Sequence, residues 1–277
     1  MGIRIPFTKM EGCGNDYILI DCREWIPEDP GQLSVRLSDR HFGIGSDGLV
    51  LICASGYADV QMRMFNADGS EGRMCGNALR CVCKHIYNRK MVENFPLKIE
   101  TLAGIRTAKM LADGRVSAEM GALSFAPSAI PVLLDGANVL DREVMAGGTL
   151  RRISCVSVGN PHCVLFVSDT QTAEVSSIGA AIEQDSLFPE RVNVEFVQVL
   201  GQNHLQVRVW ERGSGETLAC GTGACAAAGV AMKLGICDDT KPVIVSMPGG
   251  ELEVRDMDNI LYLTGDAREV FSGIIEI

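Results

Sequence analysis

Short stretches of alternating apolar and polar residues recur along this chain at a fixed separation. Val60–Phe65 (VQMRMF) alternates with the period of a half-buried strand, and Leu205–Trp210 (LQVRVW) repeats the pattern 145 positions on. Tyr17–Asp21 (YILID) and Cys163–Val167 (CVLFV) are β-prone runs that follow a Gly-Asn turn. Leu97–Thr101 (LKIET) and Val243–Met247 (VIVSM) each lead into a glycine, and then into a hairpin turn at Asp113-Gly114 or Asp258-Asn259. Among these strands the spacing predicts one clear helix per copy. In the first, Leu79, Val82, Cys83, Ile86 and Tyr87 share a face at 3.6-residue spacing. In the second, Ala224–Leu234 is small and apolar nearly all round, which predicts burial on most sides, and Gly235 supplies its stop.

The same shift superposes individual polar residues. Gly14-Asn15 falls on Gly159-Asn160, Arg63 on Arg208, Glu71 on Glu216 and Cys75-Gly76 on Cys220-Gly221. The chain is therefore read as an internal duplication with copies near 1–121 and 146–266. Phe125–Asn138 (FAPSAIPVLLDGAN), with two prolines and turn residues, is the expected crossing between them. The strand-like tail Arg268–Ile277 is expected to return to the first copy, giving domains 1–124 plus 266–277 and 125–265. The fold class expected is α/β (α+β): two similar domains, each a mixed, mostly antiparallel sheet wrapped around a central helix, with the active site in the cleft between them.

Composition narrows the function. At 277 residues, 47% hydrophobic and 22% charged, the chain has the profile of a globular protein with two ordinary cores. A net charge of −10 argues against nucleic acid or an anionic membrane as partner. No apolar run reaches the ~18 residues of a membrane span. The opening Met1–Phe7 has no signal-peptide core, and Pro6 stands where a myristoylation signal needs Ser or Thr. A cytoplasmic location is expected, and eleven cysteines with no disulfide-scaffold spacing agree with free thiols in a reducing compartment. The oligomeric state stays open, a homodimer included.

Of the eleven cysteines only Cys75 and Cys220 fall on each other, and each opens its helix. A free cysteine is usually a buried structural residue. Retention of one thiol per copy in the same glycine-rich context favours instead two thiols facing across a cleft. Orphan N–H groups and the helix dipole lower a thiol pKa at such a position. Two opposed acid/base groups suit removal of a proton from one face of a carbon and its return to the other, as in a racemase or epimerase without a cofactor. The N–H groups of Gly76, Asn77, Gly221 and Thr222 are candidate anchors for a substrate carboxylate. Asn15 pairs with Asn160, Asn66 with Glu211 and Gly48 with Asn193, forming a polar cradle around the thiols. Arg212 has no mate, since Ala67 holds that place, and a single guanidinium fork suits one carboxylate. His162, mate of Tyr17, is expected to touch Cys220 or Cys75 and tune it, with Glu211 acting from the other side. No metal constellation, nucleotide loop or pyridoxal-lysine cue is found, so no cofactor and no metal are expected.

The segments Met10-Glu-Gly-Cys-Gly-Asn-Asp, Phe65-Asn-Ala-Asp-Gly-Ser-Glu, Met74-Cys-Gly-Asn, Gly159-Asn-Pro-His and Glu211-Arg-Gly…Ala219-Cys-Gly-Thr-Gly closely resemble the motifs of the diaminopimelate epimerase family. The resemblance covers essentially the whole chain. It implies interconversion of LL- and meso-2,6-diaminopimelate, a step toward lysine and peptidoglycan, without pyridoxal phosphate or metal. It also implies Cys75 and Cys220 as the acid/base pair. Asn15, Asn66, Gly76, Asn77, Asn160, Asn193, Arg212, Gly221 and Thr222 would hold the substrate, and Glu211 and His162 would modulate the thiols. The chain departs from some relatives at Gly48, where a glutamine can reach the far end of the substrate, and at Ala78, where glycine is frequent. A proline-racemase-like protein is the nearest alternative, distinguished by a histidine where Asn77 stands; a non-catalytic dithiol binding or redox module is the other.

Overall fold

The computed structural model describes residues 4–276. Ile277 of the expected tail strand and the first three residues of the opening segment lie outside the described residues. The chain divides into two compact units, with breaks after Glu119 and after Leu263. The first break comes ahead of the proline-containing stretch that marks the crossing in the sequence.

In the first unit the elements run β1 (Arg4–Gly12), β2 (Asn15–Cys22), α1 (Pro30–Ser38), β3 (Gly48–Cys53), β4 (Val60–Asn66), β5 (Glu71–Gly72), α2 (Gly76–Asn88), β6 (Leu97–Thr101), β7 (Gly104–Met110) and β8 (Val116–Gly121). The second unit follows with β9 (Val139–Ala146), β10 (Thr149–Ser157), β11 (Pro161–Phe166), α3 (Val175–Glu183), β12 (Asn193–Gly201), β13 (His204–Glu211), β14 (Gly215–Thr217), α4 (Gly221–Lys233), β15 (Val243–Met247), β16 (Gly250–Met257) and β17 (Ile260–Gly265). The chain ends in β18 (Arg268–Glu276).

The two units pair their strands in the same way. β1 is antiparallel to β2, β2 parallel to β3, β3 antiparallel to β4, and β4 parallel to β6. In the second unit β10, β11, β12, β13 and β15 repeat that sequence of directions. At the outer edge β18 lies antiparallel on β1, and β9 takes the equivalent place on β10. The duplication shift matches β18 to the start of the connector, yet β9 comes from its later part, because the connector reaches β10 from the other direction along the chain. Even an ion pair is copied: Arg63 Nε lies 2.7 Å from Glu71 Oε1, and Arg208 Nε 2.7 Å from Glu216 Oε1.

Side-chain alternation explains the layers. In β2, Tyr17 and Leu19 pack with the α2 core, while Ile18 and Ile20 pack with Leu33 and Leu37 of α1 on the other face. In β3, Val50 and Ile52 face the α2 core and Leu49 and Leu51 the α1 core. A strand covered on both faces reads as a continuous apolar run. The structure therefore carries two helices per copy where the sequence pattern predicts one. α1 and α3 are nine residues each, and α1 is started by Asp29, whose carboxylate accepts from the Gln32 N–H at 2.9 Å ahead of Pro30.

The predicted face of α2 needs one correction. Leu79, Val82, Cys83 and Ile86 are buried, but Tyr87 is half exposed and packs edge-on against Phe95, while Arg80 and Cys81 are fully buried. The sheet wraps α2 more completely than a single stripe implies. α4 is buried nearly all round, as its composition predicts, and Gly235 at φ +71° stops it in the left-handed conformation.

Candidate active site

Cys75 and Cys220 are the N-cap residues of α2 and α4, both with extended backbone (φ −138°, ψ 122° and φ −131°, ψ 115°). In each copy the cysteine carbonyl accepts the first intrahelical bond, from Leu79 N or Ala224 N at 2.9 Å. The Cys220 side chain then caps an orphan N–H of its first turn, whereas the Cys75 side chain makes no capping hydrogen bond.

The surroundings of the two sulfurs differ. Cys75 is half-buried, and its Sγ lies 3.1 Å from the Tyr17 hydroxyl. Cys220 is buried; its Sγ accepts from the Gly223 N–H at 3.3 Å and lies 3.4 Å from Thr222 Oγ1. Helix-start placement predicts a lowered thiol pKa, but Cys220 is raised well above the ordinary value. Burial is the largest cause, the negative charges of Glu211 and Glu195 add to it, and the bonds from Thr222 and Gly223 oppose it without prevailing.

The asparagines link each strand start to its helix start. In the first unit Asn15 Oδ1 accepts from Asn77 Nδ2, while Asn15 Nδ2 donates to Asp47 Oδ2 at 3.1 Å. In the second, Asn160 Nδ2 donates to Thr222 Oγ1 at 3.2 Å, so the duplication preserves the bridge between mates. Asn77 is fully buried, and its Oδ1 has no hydrogen-bond partner among the described residues. An acceptor left unmade in the interior is costly unless something supplies a donor.

His162 is fully buried, and its ring nitrogens engage Glu195 and Asn160 rather than a thiol: Nδ1 lies 2.7 Å from Glu195 Oε1 and Nε2 3.0 Å from Asn160 Oδ1. Burial raises the Glu195 carboxyl and the adjoining imidazole lowers it, burial being the larger effect. The carboxylate stands close to the helix start, because a Cβ on Gly223 would fall 3.0 Å from Glu195 Oε1. A methyl at 223 would therefore crowd the Glu195 carboxylate and Cys220, while its mate Ala78 carries one where Val50 replaces the carboxylate.

Asn193, Glu211 and Arg212 form a second group at the ends of β12 and β13, while Asn66 and Gly48 lie in the first unit. Asn193 Oδ1 accepts from the Arg212 N–H at 2.9 Å and its Nδ2 donates to Pro161 O at 2.8 Å. The Arg212 guanidinium is exposed and donates to Glu190 O at 2.9 Å. Glu211 Oε1 accepts from Thr217 Oγ1 at 2.5 Å. Asn66, at the end of β4, is bonded through Nδ2 to Ser70 Oγ at 2.9 Å. A Cβ on Gly48 would meet Phe65 O at 2.3 Å, so no side chain fits there and only backbone is offered.

Sequence reasoning missed three groups here. Tyr17 was visible only as the mate of His162, Asp47 lies in the loop ahead of β3, and Glu195 is a carboxylate inside an apolar strand. Among the described residues no three His, Cys, Asp or Glu side chains gather as a metal site, and no helix is long and apolar enough to cross a membrane.

Comparison with known proteins places this geometry. A family model described as diaminopimelate epimerase matches residues 7–126 and 154–270, one segment per copy. A diaminopimelate epimerase of Methanococcus maripaludis strain C5 is 45% identical over 279 residues, covering 99% of this chain and 100% of that protein. Another, of Pelotomaculum thermopropionicum, is 47% identical over 274 residues, covering 96% and 97%. Among solved structures, a probable proline racemase from Agrobacterium radiobacter K84 shares the fold, with a TM-score of 0.72 at 15% identity over 97% of this chain and 92% of that one. Matches of that length and identity, falling on both copies, make the chain a member of the diaminopimelate epimerase family.

Proposed function

We propose that the protein interconverts LL- and meso-2,6-diaminopimelate by moving a proton between the two faces of one α-carbon, in the supply of lysine and of the peptidoglycan cross-linking amino acid. The observation that carries this reading is the retention of one cysteine at the N-cap of the equivalent helix in each copy. In this reading the domains 1–124 plus 266–277 and 125–265 contribute one thiol each, Cys75 and Cys220.

The chemistry follows from the groups present. One thiolate takes the α-proton while the opposite thiol gives its own to the other face, so the number of bound protons is unchanged over the cycle. Burial and Glu211 hold the Cys220 thiol above its ordinary value, and the acid and base roles of the two cysteines exchange with direction. The α-proton is weakly acidic, so the developing negative charge needs fixed donors in a dry site. The N–H groups of Gly76, Asn77, Gly221 and Thr222 supply them at the carboxylate. The unpartnered Asn77 Oδ1 suits the α-ammonium. Asn15 and Asn160 brace the two helix starts, Asn193 and Arg212 bind a carboxylate, and Asn66 completes the cradle. Glu211 sets Cys220 directly, and His162 acts through Glu195. The reaction is proposed to run with no cofactor. A cytoplasmic location fits eleven free cysteines, and a homodimer is compatible with the fold.

The test is formation of the meso isomer from LL-diaminopimelate by purified protein without added cofactor, followed by chiral chromatography. In D₂O the product should carry deuterium at the α-carbon. A protein that leaves that carbon unexchanged is not an epimerase, and the dithiol alternative then stands.

A further inference from the structure

Tyr17 and His162 are mates under the duplication, yet they do different things. His162 turns its nitrogens to Glu195 and Asn160. Tyr17 presents its hydroxyl to Cys75 Sγ at 3.1 Å, and that is the hydroxyl's one hydrogen bond among the described residues. The phenol has little freedom. It is 2% exposed, lies in β2 between Met10 of β1 and Gly48 of β3, and packs in the core beneath α2 with Leu79 and Val82. A buried hydroxyl needs a hydrogen-bond partner, and for Tyr17 that partner is the sulfur of the N-cap residue Cys75.

We propose that Tyr17 is a positioning residue for Cys75, donating its O–H to the thiolate and accepting from the thiol once Cys75 has taken a proton, so that the two halves hold chemically unequal sulfurs. This rests on the reading of Cys75 as an acid–base group. The phenolic proton stays on oxygen, because burial and the nearby Cys75 push Tyr17 well above its ordinary value. The other groups bearing on Tyr17 are Cys81 of α2 and Asp47 ahead of β3. Burial pushes the Cys81 thiol up to about 12, against the opposing charge of Arg80, with Glu11 and Cys13 adding to the rise. Asp47 is engaged by Arg40 at 2.9 Å and by Asn15.

Substituting Tyr17→Phe removes the oxygen and keeps the ring. Iodoacetamide alkylation of Cys75, followed by peptide mass spectrometry across pH on the substrate-free protein, should show its midpoint rising by about one pH unit or more, since the thiolate loses a hydrogen bond made to its charge. The Cys220 midpoint should stay where it is. With substrate, kcat/KM near neutral pH should fall about tenfold and recover as pH rises, with KM little changed. An unmoved Cys75 midpoint overturns the proposal, whether or not activity falls, because a purely structural tyrosine would give that result. Should Tyr17→Phe fail to fold, protein grown with 3-fluorotyrosine keeps the shape and strengthens the donor. Its Cys75 midpoint should then drop, and no change again overturns the proposal. The alkylation needs no substrate, so it decides the role of Tyr17 even if epimerisation of diaminopimelate is not found.

Discussion

Substituting Glu195→Gln removes one negative charge from beside Cys220 while keeping side-chain shape and an acceptor for His162. The size of the effect follows from the coordinates. A Cβ built on Gly223 would lie 3.0 Å from Glu195 Oε1 and 3.4 Å from Cys220 Sγ, so oxygen and sulfur are separated by at most the sum of those distances, 6.4 Å. At an effective dielectric of about 20, two unit charges at that separation interact by about 2.6 kcal/mol, the equivalent of about two pH units. His162, bonded to the same carboxylate at 2.7 Å, offsets part of it, and a downward shift of about one unit is expected. Because the carboxylate disfavours the thiolate, its removal lets Cys220 ionise at lower pH. Burial, the larger cause, is untouched, so Cys220 remains above an ordinary thiol. Alkylation of Cys220 with iodoacetamide across pH, read by mass spectrometry of its peptide, measures this. A midpoint that stays or rises refutes the account of Glu195. Glu195→Ala is a harsher change, since it strands His162 in the interior, and it should lose on the order of 3–5 kcal/mol of unfolding free energy by denaturant titration.

Cys75→Ala and Cys220→Ala should each abolish epimerisation in the chiral assay while circular dichroism stays native; near wild-type turnover in either rules out the two-thiol mechanism. Gly48→Gln should lower stability by about 1–3 kcal/mol because its Cβ would meet Phe65 O at 2.3 Å, and an unchanged melting temperature contradicts that packing. His85 is buried, with an unpartnered Nδ1, and burial, helped by Arg89, drops its pKa to about 4. Between pH 6.5 and about 4 the unfolded chain therefore binds a proton that the folded chain refuses, so stability is full above 6.5 and falls as pH is lowered. The loss is on the order of 3 kcal/mol, and His85→Asn should flatten that part of the curve, whereas an unchanged slope disproves the assignment.

The repeat made much of the fold legible before any coordinates. Strands with one wet face, such as Val60–Phe65 and Leu205–Trp210, show their period directly. β3 does not, because Leu49 and Leu51 face α1 while Val50 and Ile52 face α2, and an all-apolar run has no period to read. α1 was missed although Asp29-Pro30 is a recognisable start signal, since the helix is only nine residues long. At the site, the capping place of both cysteines could be read from glycine spacing alone. The raised state of Cys220 could not. It depends on burial and on carboxylates from β12 and β13, and on a strand such as NVEFVQV a lone glutamate reads as solvent-facing until its neighbours are known.

The pairing of β18 with β1 sets an order for biosynthesis. All the strands from β9 to β17 leave the ribosome as one continuous run, so the second unit can condense while the chain is still growing. The first unit has to wait. The outer edge of β1 keeps its N–H and C=O groups bare until β18, which follows the second unit in the chain, emerges and docks there. The first unit is thus begun before the second and completed after it, and during that interval its unfinished border is open to pairing with a neighbouring nascent chain.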